Sequence, residues 1–327
     1  MKKEVMSKIL ITGANGQLGS ELTDELRRIY GVDHIIASDI VEPGPNNSAG
    51  IFEYLDVLDS DRFREVIVEN DITQIYHLAA LLSANAEKNL NAAWKLNMDG
   101  LLNALHLANE NNIEKIFWPS SIAVFGPDAV KNRTPQESPC NPATVYGITK
   151  VSGEQWCAYY HRKFGVDVRS IRYPGLIGYK SLPGGGTTDY AVEIYHKALA
   201  GETFSCFLEK NSALPMMYMS DAVKATVELM NAPVESISVR TSYNVSAISF
   251  TPEEIGGAIQ KRIPEFVIRY EPDYRQEIAS SWPNSIDDTQ AKHDWDWKPD
   301  FDLEKMTDDM LKNLPKKSEK DDTDYSI

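Results

Sequence analysis

A chain of 327 residues can hold one large domain or two of medium size, and 42% hydrophobic with 25% charged residues is an ordinary globular composition. The net charge of −15 argues against a nucleic-acid partner and against an anionic membrane surface, because both need clustered Lys and Arg. Cys140, Cys157 and Cys206 show no CxxC spacing, so they suggest neither a zinc site nor a disulfide framework and fit a reducing, cytoplasmic setting; no apolar run suits a signal peptide or a membrane span.

The first half of the chain alternates between two patterns. Short apolar runs at Ile9–Ile11, Ile35–Ala37, Ile75–Leu78, Ile116–Trp118 and Val168–Ile171 read as strands. Helical patterns lie between most of them. Leu18, Leu22, Leu26 and Ile29 share one face, as do Met98, Leu101, Leu102, Leu105 and Ala108. Strands alternating with helices predict an α/β fold, a Rossmann-type doubly wound parallel sheet covered on both faces. That domain is expected over residues 1–178. After about Tyr179 the alternation fades, Gly184-Gly185-Gly186 marks a loop, and a helix is expected from Asp189 to Ala200. Residues 179–314 are therefore read mostly as a smaller substrate domain. It is interleaved with the first, because the strand-like segment Ser242–Val245, within 241–250, is expected to return to the main sheet. The polar stretch 315–327 reads as a disordered tail.

The first strand runs into Thr12-Gly13-Ala14-Asn15-Gly16-Gln17-Leu18-Gly19, where a helical pattern begins. Glycines at this GxxGxxG spacing permit a tight turn and let the backbone approach a pyrophosphate, while the helix N-terminus offers unpaired N–H groups. Gly13, Asn15, Gly16, Gln17, Leu18 and Gly19 are the candidate phosphate loop. Asp39 ends the second strand, twenty residues beyond Gly19. A carboxylate there can accept from adenosine ribose hydroxyls and would repel a 2′-phosphate, which points to NAD. Asp56-Val57, after the run Ile51–Leu55, suits either an adenine bracket or a turn aspartate with its neighbour.

Tyr146 and Lys150 are four residues apart and so share a face of any helix they occupy. A tyrosine is a poor base at neutral pH unless a nearby cation favours its phenolate, and Lys150 is placed to do that. Pro119-Ser120-Ser121 follows the fifth strand, at the sheet edge where ligands of open α/β sheets bind. None of the histidines His34, His106, His161, His196 and His293 has metal-ligand spacing, so no metal is expected, and His77 reads as a buried strand residue. Trp94, Trp118 and Trp282 read as packing residues.

Taken together, the glycine triplet, His77-Leu78-Ala79-Ala80, Asn97, Ser120-Ser121-x-x-Val124-Phe125-Gly126 and Tyr146-x-x-x-Lys150 resemble the extended short-chain dehydrogenase/reductases, the nucleotide-sugar epimerase-like branch, over residues 7 to 313. More narrowly, several segments resemble the short-chain-type L-threonine 3-dehydrogenases. These include Leu81-Leu82-Ser83-Ala84, Phe117–Pro127, Arg172–Ile177, Pro183–Tyr190, Leu214–Met219 and Ser281–Asp288. Asp296 departs from that pattern, where glycine is usual.

This resemblance implies NAD-dependent oxidation of L-threonine at its β-carbon to 2-amino-3-oxobutanoate. It implies Tyr146 as general base, Lys150 as holder of the nicotinamide ribose, Ser121 as hydrogen-bond partner of the reacting oxygen, and Asn97 as support for a proton-relay water or for the catalytic helix. Leu78, Ala79, Ala80, Tyr173 and Pro174 are then expected beside the cofactor, and Ser83, Gly186, Thr187 and Thr188 beside the amino acid, although Thr187 and Thr188 also read as ordinary loop residues. A homodimer is implied through helices near Lys95–Asn109 and Gly147–Lys163. Two other readings compete. A nucleotide-sugar epimerase or dehydratase needs an arginine to grip the diphosphate where this chain has Leu214-Pro215-Met216-Met217-Tyr218-Met219. A non-catalytic NAD-sensing regulator would commonly lack the Tyr/Lys pair present here.

Overall fold

The computed structural model describes residues 7–44, 47, 49–180 and 186–315; the expected tail, apart from Pro315, and Gly184-Gly185 lie outside the described residues. Strand β1 (Ile9–Thr12) is followed by α1 (Gln17–Tyr30), then β2 (Ile35–Asp39), β3 (Ile51–Tyr54), α2 (Ser60–Glu69) and β4 (Gln74–His77). Helices α3 (Ser83–Lys88) and α4 (Leu90–Trp94) lead through a π-helical turn at Lys95–Asp99 into α5 (Gly100–Glu110). Next come β5 (Lys115–Ser121), the long α6 (Val145–Phe164) and β6 (Val168–Tyr173). The run Tyr243–Asn244, numbered β10 below, pairs in parallel with β6 and completes a seven-stranded sheet in the order β10-β6-β5-β4-β1-β2-β3. Every pairing in it is parallel, the doubly wound architecture expected.

Alternation along the strands decides which face each helix covers. Ile9 and Ile11 of β1 and Ile35 and Ala37 of β2 pack with Leu22 and Leu26 of α1, while Leu10 and Ile36 point the other way, into a core shared with Phe63, Leu101, Leu105 and Cys157. Ile29, expected on the buried stripe of α1, is instead 39% exposed at the last turn.

The remaining elements are β7 (Gly175–Ile177), α7 (Tyr190–Leu199), β8 (Phe204–Cys206), β9 (Leu214–Tyr218), α8 (Met219–Asn231), β10, β11 (Ile248–Phe250), α9 (Pro252–Gln260), β12 (Ile268–Tyr270), α10 (Arg275–Ser281), α11 (Thr289–Trp295) and α12 (Leu303–Asn313). Strands β11, β9 and β7 make a small sheet, and β12 pairs with β8. A separate core of Tyr190, Ile194, Phe207, Leu214, Ile255, Met306 and their neighbours fills this second unit. Helix α8 is held to the main sheet by charge: the buried Arg169 donates to the carbonyls of Leu229 and Ala232, both at 2.7 Å, which satisfies acceptors that a helix end otherwise leaves open.

Candidate active site

Strand order reverses between β1 and β4, so the loops that follow these two strands part and leave a crevice at the carboxyl edge of the sheet. A cleft of about 560 Å³ lies there, lined from one side by the Gly13–Gly19 loop and Leu78 and from the other by Tyr146, Lys150 and Thr187. Gly13 has φ +71°, and a Cβ on it would lie 2.8 Å from the Ala79 nitrogen; a Cβ on Gly19 would lie 2.2 Å from the Gly13 carbonyl oxygen. Both glycines are thus required by close backbone approach. Gly16 caps α1 without a side-chain hydrogen bond, and no acidic residue occupies its first turn. This glycine cradle, facing first-turn N–H groups with no side-chain acceptor, fits a pyrophosphate.

Asp39, at the end of β2, accepts from the backbone N–H of Asn15 at 3.0 Å and of Ile40 at 2.8 Å, which fixes its carboxylate beside the glycine loop. Asn15 ties down the segment after β2: its Nδ2 donates to the Glu42 carbonyl, and its Oδ1 accepts from Gly44 N–H and from Asn47. No arginine stands at position 40 to receive a 2′-phosphate. The Asp39→Ala protein should therefore lose roughly tenfold or more of its preference for NAD over NADP, the scale of a hydrogen bond to a charged group. Steady-state rates with both cofactors check this, and an unchanged ratio would contradict it.

Tyr146 and Lys150 lie in the first two turns of α6. Thr144 caps that helix, its hydroxyl accepting from Gly147 N–H at 3.1 Å. Gly147 lets the helix meet the turn after β5, since a Cβ there would sit 2.2 Å from the Ala123 carbonyl oxygen. Lys150 is buried; its Nζ donates to the Pro119 carbonyl at 2.6 Å and stands 4.5 Å from the Trp118 ring and 5.4 Å from the Tyr146 ring. Burial pulls its ammonium down to about 7, against the opposing effect of Cys157 and Glu154. Burial pushes the Tyr146 hydroxyl up to about 12, while a hydrogen bond with Ser121 works the other way. So burial keeps this tyrosine protonated at neutral pH. Ser121 also accepts from Ala123 N–H at 3.2 Å.

Other residues singled out in the sequence stand as follows. Ser83, Ser121, Tyr173, Pro174, Gly186, Thr187 and Thr188 all line the cleft, as do Leu78 and Ala80. Ala79 meets the glycine loop through its backbone. Asn97 sits behind the cleft in the π-helical turn; its side chain brackets Leu81, accepting from N–H at 2.8 Å and donating to C=O at 3.1 Å, and it donates to Thr149 of α6. Asp56 is exposed and accepts from Leu58 N–H at 2.9 Å as a turn residue, and Val57 is buried in the core; neither is among the residues lining the cleft. His77 is buried and paired with the Thr12 hydroxyl at 2.9 Å, and burial, with the neighbouring Lys150 charge, holds it neutral near about 3.

The segment spanning residues 9–246 matches the model of the NAD-dependent epimerase/dehydratase family. This chain belongs to that family. An uncharacterized epimerase/dehydratase of Staphylococcus aureus is 48% identical over 315 residues, 95% of this chain and 98% of its own length. The solved holo form of a GalE-like L-threonine dehydrogenase from Cupriavidus necator is similar with a TM-score of 0.93 and 54% identity, covering 94% of this chain and all of that one. A monomeric L-threonine 3-dehydrogenase from a metagenome database, in its apo form, is 50% identical with a TM-score of 0.90, covering 94% of this chain and 98% of that one.

Within this epimerase/dehydratase frame, the structure adds residues that sequence reasoning passed over. Trp282, read as packing, is only 6% exposed and part of the second core, yet it also lines the cleft. Leu176 and Asp189 join it there, and Asp189 accepts from Gly186 N–H at 2.7 Å. Ser120 turns away from Ser121, into a buried hydrogen bond with Glu154 at 2.6 Å.

Proposed function

We propose that this chain is an L-threonine 3-dehydrogenase that oxidises the β-hydroxyl of L-threonine to a ketone and reduces NAD. The likeness over nearly the whole chain to an L-threonine dehydrogenase at 54% identity carries this reading. NAD, when bound, supplies the hydride acceptor and a positively charged nicotinamide ring.

The chain's own groups manage the proton. Tyr146, as phenolate, takes the proton of the threonine hydroxyl. Ser121 hydrogen-bonds the same oxygen. The Lys150 ammonium holds the ribose and favours the phenolate. Ser83, Gly186, Thr187 and Thr188 hold the amino acid's α-substituents, and Asn97 acts through Leu81 and Thr149 rather than by touching substrate. The product 2-amino-3-oxobutanoate and NADH leave together with one proton. NADH formation that depends on L-threonine tests the reading.

A nucleotide-sugar substrate is disfavoured by charge. Lys150 is the one cation among the described residues that line the cleft, and Leu214 is fully buried in β9. A diphosphate would find no arginine fork.

The second part of the proposal is a homodimer in the cytoplasm. All three cysteines are free, and no helix among the described residues is long and apolar enough to cross a membrane. Helix α6 exposes Ile148, Trp156, Tyr159 and Phe164, and its aromatic rings pack edge to face along the helix. That is more apolar surface than one helix face normally leaves to water. Light scattering at micromolar concentration should give twice the chain mass, and Trp156→Glu should give a single chain mass. A monomeric parent would refute this, and the monomeric relative makes the test a real one.

A further inference from the structure

We propose that Glu154 and Arg172 are a positioning pair that sets both the placement and the local field of the Tyr146–Lys150 couple. This rests on the reading that Tyr146 and Lys150 handle the proton. The two side chains are almost wholly enclosed, 1% and 4% exposed. Arg172 grips the carboxylate with both prongs, Nε to Oε1 at 2.9 Å and Nη2 to Oε2 at 2.7 Å, and Ser120 donates to Oε1 at 2.6 Å. The remaining arginine nitrogen donates to the Gln136 carbonyl at 3.0 Å and to Asn244 Oδ1 at 3.1 Å.

Each member adjoins a residue of the site. Ser120 precedes Ser121, Arg172 precedes Tyr173, and Glu154 follows Lys150 by one turn of α6. The pair thus ties β5, α6, β6 and β10 together one turn of α6 beyond Lys150. A buried ion pair is a poor way to gain stability, because desolvation consumes much of its attraction and apolar side chains of similar volume would pack as well. Direction and charge are what apolar side chains could not supply.

The groups facing Lys150 define the field it feels. On α6 they are Tyr146, Glu154 and Cys157; on β5, the Pro119 carbonyl and the Trp118 ring; on β4, His77; on β6, Arg172 through its hold on Glu154. His77 is held neutral, and burial raises the Cys157 thiol so that it too is neutral. Glu154 and Arg172 are then the full charges in this set besides Lys150 itself, and they oppose each other, with Glu154 the nearer influence on the Lys150 ammonium. Removing one uncovers the other.

The signs follow. Glu154→Gln removes a negative charge and leaves Arg172 uncompensated, so Tyr146 and Lys150 both release their protons at lower pH. Arg172→Gln does the reverse. A unit charge one to two helical turns away, roughly 5 to 12 Å, at an effective dielectric of about 20 corresponds to a displacement on the order of one pH unit. Removing both charges together should bring the profile back toward the parent position, leaving a lower kcat from lost placement.

Two readouts keep the issues apart. The ultraviolet tyrosinate band, titrated in NAD-saturated protein as the difference between each variant and the same variant carrying Tyr146→Phe, needs no substrate. The pH profile of kcat with L-threonine tests the function itself. A parent without threonine turnover would defeat the functional reading, while the tyrosinate titration would still decide the pair. The expected result is opposite displacement in the two single variants and restoration in the double. If a glutamine variant does not fold, Arg172→Lys serves, since it keeps the charge but loses the two-pronged grip: kcat should fall several-fold with the titration unmoved. A Glu154→Gln titration superimposable on the parent's, whatever its loss of rate or thermal stability, would overturn the proposal. So would a fully active Arg172→Lys protein.

Discussion

Replacing Tyr146 with phenylalanine should lower L-threonine turnover by about a hundredfold or more, the scale expected for a positioned general base. The substitution keeps the ring and its contacts and removes a single hydroxyl. NAD affinity should be unchanged, because the Gly13–Gly19 cradle and Asp39 are untouched. The parent rate should rise with pH, and Tyr146→Phe should abolish that limb. The sign comes from the chemistry: proton transfer needs the phenolate, and burial, partly offset by the Ser121 hydrogen bond, pushes the hydroxyl to about 12. The limb in the working complex should lie well below that, since an oxidised nicotinamide adds positive charge next to the ring. Near-parental turnover in Tyr146→Phe, measured at saturating NAD, would mean that another group accepts the proton. His77 is a poor substitute, being buried, neutral and committed to Thr12.

Lys150→Met should be nearly as damaging and should differ in kind. Methionine keeps the stem between Trp118 and α6 but removes the ammonium, so turnover should fall by about a hundredfold while the fold persists. Unlike Tyr146→Phe, it should also weaken NAD binding by roughly tenfold, the scale of one hydrogen bond to a charged group. The group carries a pH signature. In the cofactor-free protein burial holds the ammonium near about 7, so the charged donor is present below that value and lost above it. NAD affinity of the parent should therefore decline as pH rises through this range, and the affinity of Lys150→Met should be flat. Calorimetric titration of NAD at several pH values checks both, and identical slopes would contradict the assignment.

Legibility of this site in the sequence follows sequence distance. The glycine loop, Asp39 and the Tyr146–Lys150 pair are each local patterns, in which a strand end, a turn or one helical turn carries the whole geometry. The sheet is equally legible, because short apolar runs such as Ile9–Ile11 recur between helical patterns, and the structure buries their alternate side chains against two helix layers. Asp56 marks the limit of spacing alone: a turn aspartate and an adenine ligand look alike in sequence, and the bond from Leu58 N–H engages one carboxylate oxygen and leaves the other open. The Glu154–Arg172 pair was invisible for a different reason. Its partners are eighteen residues apart in sequence and meet only once α6 has packed on β6. Trp282 reaches the cleft from more than a hundred residues beyond α6, and an apolar ring carries no sign in sequence that it lines a cleft as well as a core.

Oxidation of an amino acid by this epimerase-like scaffold is tested most directly by NADH absorbance, in reactions of the purified protein with NAD and a panel of L-amino acids and 2-hydroxy acids, with chromatography of parallel nucleotide-sugar reactions, whose epimerisation or dehydration returns the hydride and leaves no net NADH. Turnover with L-threonine far above L-serine and the hydroxy acids, and none with nucleotide sugars, is the expected result. Conversion of a nucleotide sugar, with L-threonine inert at any pH, would contradict it.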